Sequence, residues 1–235
     1  MLSRLIKEKI LAILEHRNIV EYEGNIIRYP QNSLEISQLL KAANRFKFKI
    51  NCLGMGTNYL ASSSQNQPSL ILSTQGLNKV LDIDEKNLFI RVESGFKVSK
   101  FINLVNQKNY YFPLQLPEQI QGSMGGLFAT LRPFTVVGTY LKGIELLLPN
   151  GDYVRYGCKT LKNVSGYNLC TLFSGSFGKL GIITNLLLKI SSDEALYYEK
   201  EKYEELRLPE LPDHQDPVYL RLKQLLDPNN VLNPD

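Results

Sequence analysis

Apolar side chains at Leu2, Leu5, Ile6, Ile10, Ile13 and Leu14 recur every three or four positions, which predicts an amphipathic opening helix to about His16. Ile26-Ile27-Arg28-Tyr29 then reads as a strand halted by Pro30. Asn32, with Glu35 three positions on, makes a capping-box pattern, and Leu34, Leu39, Leu40 and Ala43 give the helix behind it an apolar stripe. Phe48 to Leu53 is a second strand. Strand, helix, strand predicts a small parallel unit with a right-handed crossover.

Leu70-Ile71-Leu72, Val80 to Ile83 and Leu88 to Val92 continue as short strands, and an amphipathic helix runs from Val98 to about Gln107. Ile144 to Leu148 turns at Pro149-Asn150-Gly151-Asp152 and pairs with Tyr153-Val154-Arg155 as a hairpin. Ile182 to Ile190 is a long apolar strand. Beyond it the chain becomes charged and proline-punctuated, with a last helix ending near Leu226. This pattern predicts an α+β fold. An N-terminal helix (1–19) precedes two lobes (about 20–83 and 85–190), and a short acidic tail (191–235) follows them.

Three segments between these elements are rich in glycine: Gly54-Met55-Gly56-Thr57-Asn58, Gly122-Ser123-Met124-Gly125-Gly126, and Gly175 through Gly178 to Gly181. Bare backbone offers amides to a flat or anionic ligand without side-chain cover. Three such segments point to a large ligand held by main chain. The amides of 54–58, with the Thr57 hydroxyl and Asn58 amide, suit a pyrophosphate. The adjacent Gly125 and Gly126, opening a short helix, are expected to present free N–H groups.

Composition narrows the alternatives. With 235 residues and 43% hydrophobic content, the chain can bury a substantial core. No apolar run is long enough for a transmembrane helix, and Arg4, Lys7, Glu8 and Lys9 break any secretory signal, so the expected compartment is cytoplasmic. Cys52, Cys158 and Cys170 are too scattered for a disulfide framework, structural zinc or an iron–sulfur cluster. His16 and His214, the two histidines, read as surface residues rather than a catalytic pair. The net charge of +4 hides an asymmetry: residues 1–190 carry +10 and residues 191–235 carry −6. No arginine-rich run supports nucleic-acid binding. The acidic tail is a candidate docking surface.

Common nucleotide motifs fail. Gly54-x-Gly56-x-x-Tyr59 lacks the third glycine, a following helix and the later acidic residue of a dinucleotide fingerprint. Gly178-Lys179 is followed by Leu180, not the Ser or Thr of a Walker loop. The order of motifs instead resembles the flavin-binding domain of FAD-linked oxidases, the PCMH-type fold of the vanillyl-alcohol oxidase superfamily, over about residues 25–190. It is closest to the FAD-binding E subunits of bacterial glycolate oxidases. Gly122 to Gly126, Gly143-Ile144-Glu145-Leu146 with Asn150-Gly151-Asp152, Lys162 to Tyr167, and Gly178 to Thr184 carry the resemblance.

The resemblance implies two α+β lobes clasping FAD. Residues 54–58 would hold the pyrophosphate. Gly122, Ser123, Gly125 and Gly126 would lie by the flavin or ribityl chain, with Gly181 and Ile182 meeting the cofactor through backbone. It also implies partners: a flavoprotein subunit that oxidises a 2-hydroxyacid and an iron–sulfur subunit that passes electrons on. Those partners would bring the chain to the inner membrane face. Leu232-Asn233-Pro234 resembles the closing segment of related 2-hydroxyacid dehydrogenases.

Some features depart from the family. The 45 residues after Ile190 are too few for the large cap domain of the related dehydrogenases, and Phe177 stands where those enzymes carry a glutamate. The segment Leu131 to Tyr140 is shorter than in the E subunits. No catalytic side chain is assigned. A non-catalytic assembly subunit that keeps the FAD fold is the alternative expectation.

Overall fold

The computed structural model describes residue 8 and residues 19–22, 25–57, 69–112, 114–116, 120–131, 140–157, 169–193, 201–202 and 217–233. Apart from Glu8, the expected opening helix lies outside these residues, as do Asn58, Cys158, the Lys162–Tyr167 motif and both histidines.

Strands β1 (Ile19–Tyr22), β2 (Asn25–Arg28), β3 (Lys49–Leu53) and β4 (Ser69–Ser73) form one sheet in the order β1-β2-β4-β3. β1 and β2 are an antiparallel hairpin, and β4 runs parallel to both β2 and β3. The expected parallel unit is therefore present, but its two strands are not neighbours, because β4 inserts between them.

Helix α1 (Ser33–Phe46) covers this sheet, burying Leu39, Leu40 and Ala43 as expected, whereas Leu34, expected in the same stripe, is exposed and Ile36 is buried instead. Asn32 Oδ1 accepts from the Glu35 N–H at 3.0 Å, while the Glu35 carboxylate takes the Gln31 N–H and the Asn32 side-chain amide. The capping box thus closes one residue earlier than the simple pattern, with Arg28 as a further partner at 2.7 Å.

The second sheet has the order β5-β6-β10-β8-β9, with every neighbouring pair antiparallel. Its strands are β5 (Val80–Asp84), β6 (Phe89–Glu93), β8 (Leu141–Leu147), β9 (Tyr153–Gly157) and β10 (Ile182–Lys189). The expected hairpin is β8–β9. β5, which the sequence reading put at the end of the first lobe, pairs with β6, so the passage between sheets falls between Ser73 and Val80.

One face of this sheet buries Ile90, Val92, Ile144, Leu146, Leu186 and Leu188 against α2 (Val98–Gln107), α3 (Met124–Thr130) and α4 (Cys170–Phe173). Leu147 and Ile182 reach out of it into the core under α1, which locks the sheets together. A two-stranded pair joins β7 (Leu114–Gln115) to β11 (Glu201–Lys202).

The segment after α5 (Pro217–Leu226) is integral to the first sheet. Leu232 pairs in parallel with Ile50, whose N–H donates to Val231 O at 2.8 Å while the Asn233 N–H donates to Ile50 O at 2.8 Å. β3 is thereby covered on the side that would otherwise be an open edge.

Candidate cofactor site

A cleft of about 820 Å³, counting its solvent-open part, lies where the two sheets meet. Its wall is drawn from the carboxyl end of β3 and its following loop (Cys52 to Thr57), the start of α3 with the residues before it, and the turn leading into β10. The three glycine segments, far apart in sequence, thus share one site. Gly54, Met55, Gly56 and Thr57, then Gly122, Ser123, Gly125 and Gly126, and finally Gly181 and Ile182, all line it. Phe177 and Gly178 complete the third side.

The glycines do different jobs. A Cβ on Gly125 would lie 2.6 Å from Ser94 Cβ and 3.0 Å from Ser94 O, so this residue is bare because Ser94, just past the end of β6, packs against it. A Cβ on Gly126 would meet Ser123 Oγ at 3.2 Å and otherwise face the cleft. Gly56, at φ +78°, has open space where a Cβ would be. Gly181 is bare for packing, with Leu146 Cδ1 2.9 Å from its Cβ position.

The free amides expected at the start of α3 are not there. The Met124 N–H donates to Phe96 O at 2.8 Å, the Gly125 N–H to Ser94 O at 2.7 Å and the Gly126 N–H to Ser123 Oγ at 3.2 Å. Ser123 caps its own helix, and the Met124 and Gly125 N–H groups tie that helix to the segment just after β6. What this segment offers a ligand is room, not donors. The N–H groups of Met55, Gly56 and Thr57 have no partner among the described residues, so donation falls to the loop after β3.

The turn at 175–178 is held in an uncommon backbone form. Phe177 has φ +52° and Gly178 φ +74°, and only the second is cheap. The Phe177 N–H donates to Ala129 O at 3.1 Å and its carbonyl accepts from Asn233 Nδ2 at 2.8 Å, which fixes the turn from both sides.

Side chains in the cleft are small or neutral. Among the described residues it is lined by Thr57, Thr74, Ser94, Gln121, Ser123 and Thr130, with no Asp, Glu, His, Lys or Arg. Burial pushes the Cys52 thiol up to about 12, so it stays neutral at physiological pH. The Ser94 hydroxyl is buried at the cleft wall without a hydrogen-bond partner among the described residues. Neither hydroxyl nor thiol announces itself in the sequence. Ser94 could have been found only by knowing that Gly125 packs on it.

These observations meet a known family. The FAD binding domain family matches residues 25–157. The chain belongs to this family, and its cofactor is FAD. The residues present fit that cofactor: among the described residues the cleft has unpartnered amides in the loop after β3, room beside Gly126 and an orphaned hydroxyl in its wall.

The chain is 33% identical to glycolate oxidase subunit GlcD of Bacillus subtilis over 169 residues, which is 68% of this chain and 36% of that protein. It is 27% identical over 171 residues to the D-2-hydroxyglutarate–pyruvate transhydrogenase DLD3 of Saccharomyces cerevisiae, 70% of this chain and 34% of that one. A D-lactate dehydrogenase of Archaeoglobus fulgidus is 27% identical over 72% of this chain and 39% of its own length. The chain therefore spans little more than a third of the curated relatives it matches.

In fold, it superposes on an alkyldihydroxyacetonephosphate synthase with TM-score 0.67 and 16% identity, over 81% of this chain and 40% of that one. It also superposes on p-cresol methylhydroxylase with TM-score 0.57 and 20% identity, over 80% and 43%. The two-lobed PCMH-type architecture expected from the sequence is the one observed. Among the described residues no helix is long and apolar enough to cross a membrane, and no cluster of three or more His, Cys, Asp or Glu side chains is placed to hold a metal.

Proposed function

We propose that the chain is an FAD-binding oxidoreductase subunit, similar to the E subunit of glycolate oxidase, that takes part in 2-hydroxyacid oxidation together with partner subunits. The observation that carries this reading is the convergence of three glycine segments, separated by 48 or more residues, on one cleft.

In this reading the amides of residues 54–58 hold the pyrophosphate. Gly122, Ser123, Gly125 and Gly126 border the flavin or ribityl chain, Gly126 by leaving room for it. Gly181 and Ile182 meet the cofactor through their backbone. FAD supplies the two-electron acceptor. The chain binds it, orients it and keeps water from one face of it, with Leu53, Val98 and Ile183 as apolar wall.

No titratable side chain of ordinary basicity lines the cleft among the described residues. The described wall thus supplies no proton acceptor for a hydroxyacid, which fits a role beside a partner. We assign that role to a flavoprotein subunit that oxidises the 2-hydroxyacid, with an iron–sulfur subunit carrying electrons onward. The same absence favours one second reading, an assembly subunit that holds FAD without using it.

The test has two stages. The purified chain is expected to take up FAD, giving a flavin absorption spectrum with near-stoichiometric binding; a colourless protein at saturating FAD refutes the reading. Turnover of glycolate with an artificial electron acceptor is expected only when partner subunits are added. Robust turnover by the chain alone refutes the dependence on partners, and bound flavin that resists photoreduction favours the assembly role.

A further inference from the structure

Asn233 joins two walls of the cleft without lining it. Its Oδ1 accepts the Cys52 N–H at 2.5 Å, and its Nδ2 donates to Phe177 O at 2.8 Å. Cys52 leads into the loop that carries the unpartnered amides, and Phe177 begins the turn into β10. Asn233 Nδ2 also stands 3.0 Å from where a Gly178 Cβ would be, so the bare residue there makes room for this side chain.

The segment that brings Asn233 to this place is itself clamped. Lys223 Nζ donates to Asp227 Oδ2 at 2.7 Å, to Leu232 O at 2.6 Å and to Lys179 O at 2.9 Å. The Asp227 carboxylate accepts the N–H groups of Val231 and Leu232 at 2.8 and 2.9 Å. Both side chains are nearly fully buried. One end of the clamp therefore grips the tail and the other grips the backbone of the turn two residues past Phe177.

We infer that Asn233 is a positioning residue for the cofactor, and that residues 217–233 act as a latch fixing the spacing between the pyrophosphate loop and the turn before β10. Phe177 gives the physical reason. A bulky residue at φ +52° is strained and persists only where its surroundings over-determine it. Asn233 supplies one of the two hydrogen bonds that do so. Released, the turn relaxes and the Phe177–Gly178 wall leaves its place. The inference rests on the cleft being the FAD site.

Binding is reciprocal: if the latch orders the cofactor site, FAD must order the latch by the same factor. Hydrogen exchange on the unaltered full chain, with and without saturating FAD, tests this directly. Peptides covering 50–57, 175–183 and 229–233 are expected to gain protection together. Protection of the first two with no change at 229–233 overturns the latch.

The companion experiment titrates FAD into Asn233→Leu and Asn233→Ala, with Val105→Ala, in the core of the second sheet, as a control for general destabilisation. Both Asn233 variants are expected to bind FAD about tenfold more weakly or worse, since two bonds that preorganise the site are lost, each worth roughly a factor of 2 to 10. They should also blunt the flavin absorption shift on binding. Val105→Ala is expected to lower the melting temperature without changing FAD affinity. Unchanged affinity in folded Asn233 variants overturns the proposal. If the unaltered chain binds no FAD, the cleft assignment fails and the latch falls with it.

Discussion

Gly125 sits directly against Ser94, its N–H donating to the Ser94 carbonyl at 2.7 Å, with only 2.6 Å between its Cβ position and the serine Cβ. Gly126, one residue on, faces the cleft instead. Adjacent identical residues therefore answer to different constraints, and substitution separates them.

Gly125→Ala is expected to lose about 1–3 kcal/mol of stability from overpacking against Ser94, read as a lower melting temperature of the FAD-free chain. Gly126→Val should melt nearly like the parent, since its only close neighbour is a serine hydroxyl, yet lose FAD binding in titration. A Gly126→Val chain that purifies with full flavin content would place the cofactor elsewhere.

Glu145 tests the outer face of the second sheet. Burial alone would raise its pKa, but hydrogen bonds from Tyr153 and Asn185 and the charges of Arg91 and Arg155 outweigh burial and hold it below the ordinary carboxylate value. Arg91 Nη1 is 3.4 Å and Arg155 Nε 3.6 Å from its Oε1. A depressed folded-state pKa contributes stability that is present above the unfolded value of about 4.5 and is lost as pH falls below it. Glu145→Gln should therefore be less stable than the parent at pH 7 and converge with it in acid. Denaturant melts between pH 7 and 3.5 check this; parallel curves count against it.

The buried pair of Lys223 and Asp227 makes a sharper case. Lys223→Met leaves the Asp227 charge buried without its cation, and a loss of about 3–5 kcal/mol is expected. Adding Asp227→Asn should recover part of that loss, because the asparagine oxygen still accepts from Val231 or Leu232. A double variant as unstable as the sum of the single ones would show that the two side chains act independently.

Cys52 provides an alkaline signature. Its thiol stays protonated up to about 12 in the folded chain but ionises near 9 when unfolded. The stability it contributes is complete below pH 9 and is lost as pH climbs toward 12. Alkylation followed by peptide mass spectrometry should find Cys52 far slower to react at pH 8 in the native chain than in urea. Comparable rates would mean that the thiol is exposed.

Much of the fold was legible in the sequence because local pattern and tertiary role agree. α1 carries its cap and, Leu34 apart, its stripe together, α2 spans its expected residues, and β8–β9 is announced by Pro149-Asn150-Gly151-Asp152. The glycine segments announced a large ligand held by main chain, and the resemblance carried by the whole set of motifs made it FAD.

What escaped lies in sequence-distant contacts. Nothing near Val80 says that it joins β6 rather than the first sheet. Nothing near Gly125 distinguishes a residue bare for Ser94 from one bare for a ligand, and the start of α3 looks like a donor site until Phe96 and Ser94 turn out to accept its amides. The tail read as an acidic appendage because its partners, Ile50 and Cys52, are more than 180 residues away.

The strand contact between Ile50 and Leu232 has a consequence for biogenesis. During synthesis at a ribosome, the sheet that begins at residue 19 waits for its contact at β3 until Leu232 has emerged. Its nascent form exposes the β3 edge and carries a half-built cradle for the nucleotide. Such distant closure favours slow folding and prolongs the time for which an unpaired strand edge can associate with other chains.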